Sequence, residues 1–196
     1  TFFSVDQIGR SGFSIPYLDG SLSISRASRT FPQYLIFKPA MIITAIILYY
    51  YWVNNNNLVN KFKLTNINYK FKTFGILSAI FLAIHSIFLG IKFDIQIYKL
   101  MRRVILLLFI IFEIIAQGML VYHFFKIKDK ISDLINKKIL FLKAILVSVL
   151  ATIAILSLPI LIDKGNTHFK HALEWNYFVG VILFYFFTRF LWIRTT

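Results

Sequence analysis

Five stretches of this chain are long and almost continuously apolar, and polar segments separate them. A helix needs about 20 apolar residues to cross the hydrocarbon of a bilayer. The runs at about Leu35–Val53, Thr73–Ile91, Met101–Phe125, Ile139–Ile162 and Ala172–Ile193 are of that length. The pattern predicts an all-α fold, a polytopic transmembrane helix bundle with five spans and an irregular polar loop in front of it. Residues 1–34, rich in Ser, Gly and Arg, read as a loop or lid packed on the bundle, and 35–196 as a single helical domain. Pro39 falls in the first turns of the first span, where a missing N–H is tolerated. Tyr49, Tyr50, Tyr51 and Trp52 read as the interfacial aromatic belt that closes it, and Asn54–Asn57 with the lysines up to Lys72 as a polar turn. Between the third and fourth spans, Ile127, Ile131, Leu134 and Ile135 fall at helical spacing, which predicts an amphipathic helical stretch at the membrane surface. No internal repeat stands out.

Composition agrees. Hydrophobic residues make up 58% and charged residues 15% of the 196, against about 45–50% and about 25% in soluble domains. That excludes an ordinary soluble enzyme and a disordered tail. The 22 Lys and Arg against 8 Asp and Glu leave a net charge of +14. These cations cluster between apolar runs, so the partners they indicate are membrane lipids, with anionic headgroups among them, and no nucleic acid. Membrane protein partners remain open. Without cysteine there is no disulfide, Cys-zinc site or thiol chemistry. The six lysines from Lys126 to Lys143 tip the charge balance. They place the connection after the third span on the cytoplasmic side and residues 1–34 on the other. The expected location is a bacterial inner membrane or a eukaryotic endomembrane or plasma membrane. The chain opens on Thr1 rather than Met, which reads as a fragment or a processed product.

Three constellations could carry chemistry. Glu113 lies near the middle of the third span, with Gln117 one turn on and His85 in the second span. An ionised group at that depth costs about 2.5–3.5 kcal/mol or more unless paired or neutralised. The trio is either a proton-carrying or substrate-binding polar centre or an interhelical hydrogen bond that fixes packing. The second constellation is Ser21, Ser23, Ser25, Arg26, Ser28 and Arg29, hydroxyls and guanidinium groups dense enough to hold a phosphate or another anion. Its plainer reading is a solvated loop whose serines cap turns. The third is His168, His171, Glu174 and Trp175 ahead of the last span. No His-Glu-x-x-His spacing occurs, so no metal and no cofactor is assigned. Glu174 there reads as a first-turn partner of the helix dipole, Trp175 as an interface anchor and His123 as interfacial. No Walker, dinucleotide-binding or Gly-x-Ser-x-Gly pattern is present, and catalytic residues stay unknown.

Two motifs stand in order along the chain. The first is Ile24-Ser25, then Pro32, then Ile36-Phe37; the second is Ala172-Leu173-Glu174-Trp175, with Phe184-Tyr185-Phe186-Phe187-Thr188 beyond it. They resemble the damage-regulated autophagy modulator (DRAM)/Frag/Sfk family of six-span membrane proteins. That family carries an Ile-Ser pair in the outer loop before its second span and a Glu-Trp pair opening its sixth. Leu100-Met101-Arg102-Arg103 stand where the family has His-Asp and Gly-Ala. The resemblance implies a further span upstream of Thr1, both motifs on the non-cytoplasmic side, and a lipid-related role without a defined reaction.

Three functions remain to be weighed. One is a non-catalytic, lipid-associated or membrane-organising protein, with Ser25, Arg26, Arg29, Glu174 and Trp175 forming a surface for a headgroup or a partner. Another is a small proton-coupled transporter using Glu113, Gln117 and His85. The third is an intramembrane lipid-modifying enzyme.

Overall fold

The computed structural model describes residues 15–28, 32–62, 70–89, 96–162 and 165–192. Two single helical turns, α1 (Pro16–Asp19) and α2 (Ile24–Ala27), precede five long helices. These are α3 (Gln33–Lys61), α4 (Lys70–Phe88), α5 (Gln96–Ile127), α6 (Lys137–Ile162) and α7 (Thr167–Leu191). No strand occurs among the described residues. The long helices run up and down, each packed on the next, and α1 and α2 lie against α7. α3 also meets α7, where the Tyr51 and Tyr185 rings contact edge to face at 4.9 Å.

Helix formation follows from the apolar runs, since residues that cannot hydrogen-bond to lipid or core must satisfy their backbone within the segment. Among the described residues, four helices are long and apolar enough to cross a membrane: α3, α4, α5 and the Lys137–Ser157 part of α6. α7 is 25 residues long and carries His168, Lys170, His171, Glu174 and Arg189. The core is aromatic and aliphatic, built on Trp52, Phe71, Leu120, Phe124 and Phe184. The outer surface is also apolar: Ile42, Ile43, Ile46 and Ile47 on α3 and Ile155 and Leu156 on α6 are exposed. A helix that is apolar on its outer as well as its inner face is the pattern of a membrane span.

The structure departs from the sequence reading in several places. The Asn54–Asn57 segment is helix, not a turn, and α3 continues to Lys61. The Asn55 amide donates back to the Tyr51 carbonyl at 2.8 Å, and Asn55 and Asn56 are buried. A side chain that satisfies itself on its own helix does not end it. The aromatic belt divides: Tyr49 and Tyr50 face outward, whereas Trp52 is fully buried.

The segment after α5 is a series of tight turns rather than a surface helix. Its turns close by the Ile131 and Ile135 amides donating to the Ile127 and Ile131 carbonyls. Ile127, Ile131 and Ile135 point into the core, so their spacing serves the bundle and not the membrane surface. Asn136 N–H donates to the Leu191 carbonyl at 2.8 Å, which pins this connection to the end of α7. The polar lead segment is less irregular than its composition suggests. α1 begins at Pro16, and the Asp19 carboxylate accepts from the Ile15 and Ser21 amides at 2.9 and 2.7 Å.

Candidate functional site

Two places bring polar side chains together. The first is in the interior. α4 and α5 run antiparallel, and their register sets Ser78 opposite Glu113. The Ser78 hydroxyl lies 2.6 Å from Glu113 Oε2, and Gln117 Nε2 donates to Oε1 at 2.9 Å. The Tyr185 hydroxyl, from α7, donates to the same Oε1. Glu113, Gln117 and Ser78 are all fully buried.

The network continues through α7. Thr188 lies three residues beyond Tyr185, and its Oγ1 is 2.7 Å from the Lys143 ammonium of α6 and 3.4 Å from the Tyr51 hydroxyl of α3. Lys143 is also fully buried, with Nζ 3.8 Å from the centre of the Phe184 ring. A cation over an aromatic face is attracted by the ring quadrupole, and more so when water is excluded. Each of the five long helices therefore contributes to one cluster: Tyr51, Ser78, Glu113 with Gln117, Lys143, and Tyr185 with Thr188. What this arrangement does chemically is hold polar groups where hydrocarbon and apolar side chains surround them, by giving them one another.

The sequence points to Glu113, Gln117 and His85 as a group. Glu113 and Gln117 are joined as their i, i+4 spacing implies. His85 is buried, but it is seven residues beyond Ser78, about 10 Å along the helix, so Ser78 rather than His85 meets Glu113. Tyr51, Ser78, Lys143, Tyr185 and Thr188 are the members that sequence reasoning missed. Only Lys143 had a visible signal, a lone cation inside the apolar run Ile139–Leu150. His123, expected at the interface, is buried within the bundle near the end of α5, with its ring 5.4 Å from that of Phe71.

The second place is the end of the bundle where α1 and α2 meet the start of α7. Trp175 Nε1 donates to the Leu22 carbonyl at 2.7 Å, and Asn176 Nδ2 to the Tyr17 carbonyl at 2.9 Å. His171 Nδ1 lies 3.0 Å from the Gly20 carbonyl. Gly20 has φ of +60°, and a Cβ there would run into the His168 backbone. Glycine is required by both the left-handed turn and the close approach. Leu22, Ser23 and Ser28 are buried in this contact region. The backbone of Ser25 and Arg26 lies in α2; their side chains, and Arg29 entirely, lie outside the described residues. Glu174 is half-buried and stands two turns into α7, since the helix starts at Thr167. It is too far in to act on the helix dipole, which is felt in the first turn. Trp175 anchors the lead segment through its indole N–H. Among the described residues, no three His, Asp or Glu side chains gather in a way that could hold a metal ion.

The fold and these two places define an all-helical chain with several membrane-length apolar helices, a buried polar cluster and a docked lead segment. No protein-family model, curated protein or solved structure matches it.

Proposed function

We propose that this chain is an integral membrane protein without a catalytic centre, similar to the DRAM/Frag/Sfk proteins. It would associate with lipid headgroups or a partner protein through the end of the bundle where α1 and α2 meet α7. The observation that carries the reading is the docking itself. The motif at Ile24-Ser25 and the motif at Glu174-Trp175 are about 150 residues apart in sequence, yet the Trp175 indole holds the Leu22 carbonyl two residues from Ile24. Two distant motifs thereby meet at one end of the bundle, as a shared recognition surface requires. Arg26 stands in α2 and Arg29 follows it in sequence, and guanidinium groups suit phosphate headgroups. Membrane embedding is supported by the four helices of membrane-span length and by the apolar side chains on their outer faces.

Glu113 also bears on the alternative of a proton-coupled carrier. It is enclosed by helices and held by three side chains, which favours a role inside the packed bundle over a water-filled path.

The test is lipid-dependent thermal stability of the full chain in detergent. Added phosphatidylglycerol is expected to raise the unfolding midpoint more than phosphatidylcholine does. In the Arg26→Ala/Arg29→Ala double variant that difference is expected to vanish while the midpoint in phosphatidylcholine stays unchanged. An equal response to both lipids in the unsubstituted chain, or an undiminished difference in the double variant, would refute headgroup recognition by this segment.

A further inference from the structure

The buried cluster offers two acceptors to one hydroxyl hydrogen. The Ser78 hydroxyl has a single hydrogen but lies 2.6 Å from Glu113 Oε2 and 2.8 Å from the Gly75 carbonyl. Both separations are those of O–H···O hydrogen bonds. Neither an ionised carboxylate oxygen nor the carbonyl can donate, so with an ionised Glu113 one hydroxyl hydrogen would have to be shared between two acceptors, a three-centre arrangement weaker than two separate bonds. One added hydrogen on Glu113 Oε2 gives each contact its own. The acid then donates to Ser78, and Ser78 donates to Gly75. Oε1 keeps the two donors it already has, Gln117 Nε2 and the Tyr185 hydroxyl.

The surroundings point the same way. The partners of the carboxyl group are Ser78 from α4, Gln117 from α5 and Tyr185 from α7, all neutral. Tyr51 of α3 touches the Tyr185 ring, and the one basic side chain of the cluster, Lys143 of α6, is engaged with Thr188 and Phe184 instead. A fully buried acid with no cation beside it among the described residues is far cheaper to hold neutral than ionised.

We propose that Glu113 is an intramembrane proton-binding site, carrying its proton on Oε2 and enclosed by Ser78, Gln117 and Tyr185. The ligand is a single proton, and the site is built from three helices. Proton occupancy is thereby linked to packing. Tyr185 reaches the acid from α7 and Ser78 from α4, so the site exists only where the three helices are packed together. This goes beyond recognition at the docked end and does not depend on it.

Infrared spectroscopy of the full chain in lipid vesicles at neutral pH tests the proposal. The unsubstituted chain is expected to show a protonated-carboxyl C=O band, well separated from the carboxylate bands of the exposed acids. The band is expected to be absent from Glu113→Gln. In Ser78→Ala it is expected to shift, because the acceptor of the carboxyl hydrogen has gone. Absence of the band from the unsubstituted chain would overturn the assignment, whether or not Glu113→Gln folds. So would a band that stays in place in both variants.

Discussion

Glu113→Ala is expected to destabilise the bundle by about 2–4 kcal/mol, the largest loss from any single polar substitution in the chain. The truncation removes the shared partner of Gln117 and Tyr185 and a short contact of Ser78. Leaving a buried polar group without its partner costs about 1–3 kcal/mol in soluble proteins. In membranes the cost per hydrogen bond is lower, averaging about 0.6 kcal/mol, because the separated helices also find partners. Three broken contacts, plus the space vacated in a core that cannot collapse fully, give the stated range. Glu113→Gln keeps the shape and a donor facing Ser78, so it is expected to lose about 1 kcal/mol or less. Reversible unfolding of the detergent-solubilised variants by added denaturing surfactant provides the measurement. If Glu113→Ala matches the unsubstituted chain, the cluster contributes nothing to holding the helices together.

The second large effect is expected at a glycine. A Cβ on Gly75 of α4 would overlap the Trp52 ring of α3 near the ring's attachment. Trp52 is fully buried, and the overlap falls at the base of its ring rather than at a flexible tip. Overpacking typically costs about 1–3 kcal/mol and occasionally more. Gly75→Val, which adds two methyl groups to the overlapping Cβ, is expected to lose about 3 kcal/mol or to fail to assemble. It also displaces the helix turn that carries Ser78, so the Glu113 cluster is disturbed with it. Gly118 supplies the contrast. A Cβ there would meet only a Val147 methyl at 3.5 Å, ordinary contact, and alanine is the better helix former by about 1 kcal/mol. Gly118→Ala is therefore expected to be neutral or stabilising by up to that amount in the same unfolding assay. Equal losses at both positions would mean that α3 and α4 do not pack as described.

The helices, and the burial of Glu113 and Gln117, were legible because they are properties of one segment at a time. Apolar length and i, i+4 spacing state them directly. What was not legible depends on register between segments. Ser78 and His85 sit on the same helix and both are buried, and only the offset of α4 against α5 decides which of them meets Glu113. Tyr185 reads as one more aromatic in an aromatic run until α7 is placed. Lys143 was counted with the surface lysines because five others flank it in sequence, and its burial depends on Phe184 and Thr188, more than 40 residues away. The Asn54–Asn57 run and the Ile127–Ile135 stretch failed for a different reason. Each follows a local rule, polar cluster as turn and amphipathic spacing as surface helix, that the packing around it overrides. The meeting of the lead segment with Trp175 was partly legible, since both motifs stood out, but the donor and acceptor that join them did not.

Hydrocarbon contact along the outer faces of the helices is the claim on which the rest depends, and single-cysteine labelling measures it directly. The chain has no cysteine of its own, so each introduced thiol reports alone. Ile46 and Ile155 are 53% and 66% exposed in the isolated bundle. Lys128 and Asn166 are also exposed, in the connections at opposite ends. In sealed vesicles, a membrane-impermeant maleimide is expected to reach Lys128→Cys and Asn166→Cys from opposite sides of the membrane and to leave Ile46→Cys and Ile155→Cys unmodified until the bilayer is dissolved. Labelling of Ile46→Cys and Ile155→Cys in intact vesicles as fast as the two connection positions would contradict it.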